Sequence, residues 1–366
     1  MDFILNGQAH GSVAKRLLAV NGDVSVLRPW VGRKGRCYVA QFVRDPETGE
    51  VVRNKEGRAI EKAVFIGNDR ATLRRDEWKW IDDEVVIAAK ERLRLIADLR
   101  GAGLTLTVPG GMAKTMIETA VIGDITPATI SMDPARKSEG DRPEYDFSLT
   151  PLPIIHKDFQ FTLRQILVSR GSGTPLDSTM VRLAGQRVAE EAEKLAIGTS
   201  GTYTYGGGTI YGLTNFPTRG TQTLTSPEAS AWTQQTTVEE ILEMRQTAYD
   251  RHALGPYVLY VSKGWAQYLD LDYSDTKGDN TLRERILAID GISEIRVLDH
   301  LADFQIVMLQ LSSDTIRLAI GMDITTLQWE TEGGMVQNFK VMAMMVPQIR
   351  ADINDNNGLI HGAVAA

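Results

Sequence analysis

The stretch from Pro151 to Gly198 limits most sharply what this chain can fold into, because its hydrophobic period changes once, from two to between three and four. In its first part Phe159, Phe161 and Leu163 alternate with Asp158, Gln160, Thr162 and Arg164, the pattern of a strand with one buried face. In its second part Met180, Leu183, Ala184, Val188, Ala192 and Leu195 recur at three and four, with Arg182, Gln186, Glu190, Glu193 and Lys194 on the other side. That is an amphipathic helix. Its predicted ends are Thr174 as N-cap, Pro175 at the first position, Asp177 at the capping-box acid and Gly198 at the stop. Between them the rod is roughly 34 Å long at 1.5 Å per residue. Glycine inside a helix costs about 1 kcal/mol relative to alanine, so Gly185 predicts a close crossing by another backbone. A long extended arm returning into a long rod implies an elongated subunit whose parts reach beyond its own core.

The flanking sequence fits this picture. Residues 1–75 hold 14 Lys or Arg against 8 Asp or Glu, leaving 26 against 39 for the rest, so a basic arm precedes an acidic body. In the arm, Cys37 to Val43, Val51 to Arg53 and Ala59 to Ile66 are separated by turn-rich residues, which predicts a hairpin or three-stranded meander. Asp76 to Arg100 reads as one helix with a stripe of Ile81, Val85, Ala88, Ala89, Arg92, Leu95, Ile96 and Leu99. Gly123 to Pro153 is a long segment with a charged tip of mixed sign between strand-like flanks, which predicts a two-stranded excursion from the body. From Thr237 onward, helices at 237–252, 263–269 and 281–289 mix with strand-like runs at 257–261, 294–298, 306–311, 316–320, 325–330 and 336–346.

The search for chemistry leaves no constellation standing. Cys37 is the only cysteine, which excludes an internal disulfide framework, and no ordered base partner marks it as a nucleophile. Asp82, Asp83 and Glu84 complement a helix dipole better than they form a catalytic cluster. The run Val108 to Thr115 resembles a nucleotide loop, but Ala113 stands where the glycine before the lysine must be. The glycines between Gly201 and Gly212 lack the following Lys-Ser or Lys-Thr, and Ser172 between Gly171 and Gly173 lacks nucleophile-elbow spacing. His10, His156, His252, His300 and His361 are scattered, as for surface or rim residues, and none has a partner at metal spacing. Asp270 to Asp275 opens like a calcium loop, but Asp275 and Thr281 replace the required glycine and glutamate. No catalytic, cofactor or metal residue is therefore assigned. The start has no secretory pattern and no apolar run approaches the roughly 20 residues of a membrane span, so a product retained in its cell is expected.

Several stretches, in order, resemble the encapsulin shell proteins: Trp78 with Ile81 and Asp82; Pro151 to Ile155 with Phe159 and Phe161; the rod; Tyr211-Gly212-Leu213; Gly255 to Ser262 with Trp265; and Gly321 to Ile324. Encapsulins share the Hong Kong 97 fold with the major capsid proteins of tailed phages. The resemblance implies an α+β subunit with an N-terminal arm over 1–75 and a peripheral domain over 76–122, 164–236 and 321–366. The extended loop would span 123–163 and the axial domain 237–320. Encapsulins begin near the helix that starts here at Asp76, whereas this chain carries a 75-residue basic arm, as phage capsid proteins do. The resemblance thus implies a phage major capsid protein in an icosahedral or prolate head, assembled in the host cytoplasm as pentamers and hexamers. Its implied partners are scaffold, portal and decoration proteins and packaged double-stranded DNA. Lys137 lies in the loop that some phage shells cross-link, but with no placed acid or acceptor no covalent link is predicted. Two other readings stay open: an encapsulin compartment enclosing an enzyme, and a hydrolase whose site assembles from distant residues.

Overall fold

The computed structural model describes residues 30–31, 37–43, 61–67, 75–122, 130, 132, 145–172, 179–273, 280–332, 335–352 and 354–364. The Thr174–Asp177 cap, the run at 51–53, the charged loop tip and residues 274–279 of the calcium-like loop lie outside them. In chain order the elements are β1 (Trp30–Val31), β2 (Cys37–Phe42), β3 (Glu61–Gly67), α1 (Arg75–Lys90), α2 (Leu95–Gly101), β4 (Thr105–Thr107), β5 (Met116–Ile122) and β6 (Tyr145–Pro151). Then come β7 (Ile155–Thr162), α3 (Leu163–Ser172), α4 (Thr179–Ile197), β8 (Tyr203–Tyr205), β9 (Gly208–Ile210), β10 (Gly220–Leu224) and α5 (Gln234–Asp250). The last are β11 (Tyr257–Ser262), α6 (Lys263–Leu269), α7 (Leu282–Leu287), β12 (Ile292–Leu298), β13 (Ile306–Gln310), β14 (Ile316–Thr331), β15 (Val336–Ile349) and β16 (Leu359–Val364).

Two sheets carry the body. The first has the order β4-β14-β15-β7 and the second β10-β16-β13-β11-β12. The strand predicted from alternation is β7, which pairs antiparallel with β15 over eight residues and places Phe159 opposite Phe339. Phe159, Phe161 and Phe339 form an aromatic cluster that Trp78 of α1 closes edge-on. The rod is α4, and it lies with α1 over this face of the sheet. At their crossing a Cβ on Gly185 would sit 3.2 Å from the Val85 carbonyl oxygen, so the glycine is there to let two helix backbones touch.

The local pattern misjudged α4 in one respect. Met180 and Leu183 are 45% and 51% exposed, while Glu193 is 2% exposed. The buried face is rotated toward Val181, Gly185, Ala189 and Ala196, because α1 and α2 cover a side that a lone helix would give to water. The helix expected over 76–100 is two, α1 and α2, broken at 91–94. The break frees the first backbone N–H groups of α2, and Glu193 takes them.

The runs at 316–320 and 325–330 are one long strand, β14, with irregularities at Ile320/Met322 and Met322/Thr325. Gly321 sits at the first, and a Cβ on Gly111 would collide with its backbone. Gly111 of the nucleotide-loop lookalike therefore serves a close backbone approach. The boundary expected between Ile320 and Gly321 falls inside β14. β16, from the segment expected to return to the peripheral domain as a tail, lies inside the second sheet, parallel to β10 and antiparallel to β13. β10 and α3 had no distinct signal in the sequence.

Candidate functional site

Three features of the fold could do work outside the subunit. The first is a ribbon: β5 and β6 pair antiparallel in unbroken register from Met116↔Pro151 to Ile122↔Tyr145 and form a sheet of two strands. Its base is held to the body, since Gln348 Nε2 of β15 donates to the Thr119 hydroxyl, and the ladder runs one step further where Leu152 N–H donates to the Thr115 carbonyl at 2.8 Å. The glycine-rich run that could have cradled a phosphate forms the β8–β9 hairpin, and Gly208 packs against the backbone of Leu149 at this base. Phe147 is largely exposed, and Ile130 and Met132 in the segment joining the two strands are fully exposed.

The second feature is the outer side of the helical layer, where Val86, Ile87, Met180 and Leu183 are exposed. All four lie on the two helices that cross at Gly185; exposed apolar residues taken singly are ordinary.

The third is a polar connection between the two sheets, centred on α2. Glu193 of α4 accepts the backbone N–H groups of Arg94, Leu95 and Ile96 at 3.2, 2.6 and 3.3 Å. Burial pushes its carboxyl up to about 7, and these three donors hold it from rising further. Farther along α2, Asp98 accepts from Arg296 of β12 and from the Tyr260 hydroxyl of β11, the latter at 3.0 Å. Arg94 Nη1 donates to the Val297 carbonyl at 3.0 Å. Burial, with the nearby Glu193 and Glu294 charges, raises the Tyr260 hydroxyl above its ordinary value, so it remains a donor. The sequence had put Glu193 on a solvated face, and only its neighbour in space identifies its role.

The residues weighed for chemistry are not brought together. Cys37 lies in β2, and Asp83 is exposed on α1 with Asp82 and Glu84 half-buried beside it. His156 is exposed on β7 with Nδ1 3.9 Å from Asp158. His361 corrects the expectation of surface histidines: it is buried in β16, accepts from Arg219 Nε at 3.3 Å, and burial with that charge lowers it to about 4. Among the described residues no group of three or more His, Cys, Asp or Glu is placed to hold a metal, and no helix is long and apolar enough to cross a membrane.

Two clefts of about 320 and 300 Å³ flank the ribbon base. The first contains His156, Glu191 and Ser200, residue types of an acyl-transfer triad. Their contacts differ from one, because Ser200 donates directly to Glu191 while His156 faces Asp158. In the second, the Asp352 carboxylate is occupied by Asn354 N, Asn356 N and Asn356 Nδ2 at 2.9, 2.7 and 3.1 Å.

Residues 68–362 match a family described as "Family of unknown function (DUF6260)". No curated protein matches the chain. Among solved structures it is similar to a virus-like particle from Pyrococcus furiosus, with 15% identity and a TM-score of 0.55 over 78% of this chain and 99% of that one. It is also similar to the capsid of Myoviridae phage XM1, with 8% identity and a TM-score of 0.57 over 72% and 90%. A third likeness is to the capsid of a native GTA particle, with 13% identity and a TM-score of 0.51 over 75% and 92%. At these identities the likeness shows the fold, and it is the Hong Kong 97-like α+β capsid fold that the sequence resemblance implied.

Proposed function

The chain belongs to DUF6260, a family of unknown function, and from a member with this fold we propose a structural shell protein, the major capsid protein of a tailed-phage head around double-stranded DNA. The observation that carries the reading is the β5–β6 ribbon, an arm with Ile130 and Met132 fully exposed in the segment joining its strands. Water-exposed apolar residues at the end of an arm become favourable only when covered, and in a shell of identical copies the cover is the next subunit. Burying such a side chain is worth about 1.5–3 kcal/mol, and closure of the shell multiplies each modest contact.

Exposed ion pairs such as Arg182–Glu91 at 3.0 Å contribute about 0–1 kcal/mol each, so strand and apolar contacts dominate assembly. The basic arm of residues 1–75 against an acidic remainder suits contact between arm and neighbouring body. The acidic remainder also limits how tightly the shell would hold packaged phosphate. Pentamers and hexamers, a separate scaffold, a portal and decoration proteins belong to the same reading, as do location in the virion and assembly in the host cytoplasm. The protein has no catalytic role in it.

A second reading, a compartment shell enclosing an enzyme, is favoured by the order of short motifs from Trp78 to Ile324 that resembles the encapsulin shell proteins. Electron microscopy of native particles, with absorbance of the same fraction for nucleic acid, separates the two. Wide shells containing double-stranded DNA support the phage head, and small DNA-free shells around protein support the compartment. Absence of any closed particle overturns both. Ile130→Asp with Met132→Asp is expected to leave the folded subunit intact and abolish closed particles.

A further inference from the structure

The seven-residue helix α2 is held at two points by two different parts of the molecule. Its first turn is bound by Glu193 of α4, through three backbone N–H groups and a carboxyl 2% exposed. Its middle is bound by the second sheet, where Asp98, whose side chain is 10% exposed, takes Arg296 and Tyr260. Arg296 is itself fixed from the other side by Glu294, with Nε to Oε2 at 2.6 Å. Arg94 adds a bond to the Val297 carbonyl and lies 3.8 Å from Asp299, which Lys263 also approaches at 3.8 Å. At its far end Arg100 pairs with Asp323 of β14 in the first sheet. Between these contacts Leu95, Ile96 and Leu99 are buried in one core with Phe159 and Val341 of the first sheet and Val258 and Val307 of the second.

With α4 carried by the first sheet, a rotation of one sheet against the other must therefore break either the Glu193 and Arg100 contacts or the Asp98 contacts. A close-packed joint of this kind has discrete settings and does not flex continuously. We propose that α2 is the joint that sets the angle between the two sheets, with Asp98–Arg296 as its adjustable contact, and that this angle determines the curvature at which copies close. The curvature part rests on the shell reading above; the joint does not.

The test uses the full chain with Cys37→Ser and labels introduced by Arg187→Cys on α4 and Leu254→Cys, which precedes β11. Spin-label distance distributions are measured with labelled subunits diluted in unlabelled ones, for the parent, Asp98→Asn, Arg296→Gln and the control Arg182→Gln. Asp98→Asn keeps an acceptor for Tyr260, and Arg296 is 44% exposed at its side chain, so both variants are designed to fold. The control breaks an α4–α1 pair that does not link the sheets.

The distance distribution is expected to shift or broaden in Asp98→Asn and Arg296→Gln and to match the parent in Arg182→Gln, with the particle diameters of the first two shifting likewise. Folded Asp98→Asn and Arg296→Gln with the parent's distribution would overturn the joint. Altered distances with parental particle diameters would overturn its link to curvature. If the parent forms no closed particle, the shell reading fails while the distances still decide the joint.

Discussion

Glu193 and His361 are expected to act on stability with opposite sign in one pH window, so that each hides the other. Glu193 has a folded-state value raised from 4.5 to about 7. The folded state then binds the extra proton between these values, and the stability linked to Glu193 is fully present below 4.5 and lost as pH rises through 7. At 1.36 kcal/mol per pH unit the loss is about 3 kcal/mol. His361 is lowered from 6.5 to about 4, so the unfolded chain binds the extra proton. Its contribution is present above 6.5 and lost as pH falls to 4, again by about 3 kcal/mol. The two terms oppose one another in the parent protein.

The variants Glu193→Gln and His361→Gln separate them. Urea unfolding of dissociated subunits, followed by tryptophan fluorescence and extrapolated to water, is measured from pH 4 to 7.5. The stability of the parent minus that of Glu193→Gln should fall by about 3 kcal/mol across the window, and the parent minus His361→Gln should rise by a similar amount. A difference for Glu193→Gln that stays flat with pH would refute the reasoning, for it would mean that the three N–H donors fully compensate the burial of the charge.

Other substitutions test the packing. Gly185→Val should force α1 and α4 apart at the Val85 carbonyl and cost about 1–3 kcal/mol in denaturant unfolding. Phe339→Ala, at the centre of the cluster with Phe159, Phe161 and Trp78, should cost about 3–5 kcal/mol by the same assay. Truncation after Asn357 removes β16 from between β10 and β13 and should abolish soluble, cooperatively unfolding protein, whereas a truncated chain that melts like the parent would mean the second sheet does not depend on it.

Local periodicity located β7, α4 and most helices, because burial of one face imposes a period of two on a strand and of three to four on a helix regardless of what provides the cover. Gly185 announced a close crossing for the same reason, since a glycine at that cost needs a neighbour. The order of short motifs carried the fold itself. Local pattern does not contain the direction from which cover arrives. Met180 and Leu183 read as core and lie at the surface, and Glu193 reads as solvated and lies beneath the α1–α2 break, because the buried side of α4 is chosen by helices about a hundred residues earlier in the chain. His361 and β16 were missed on the same ground: Leu-Ile-His-Gly-Ala-Val is too short and mixed to declare a strand, and becomes one only between β10 and β13, which supply its partners. Pattern along the chain thus sufficed for most of the elements and, through the order of its motifs, for the family of fold. Which polar groups are buried, which apolar ones stay exposed, and that one short helix ties the two sheets follow only from the folded chain, since desolvation and pairing depend on neighbours in space that lie far apart along the chain.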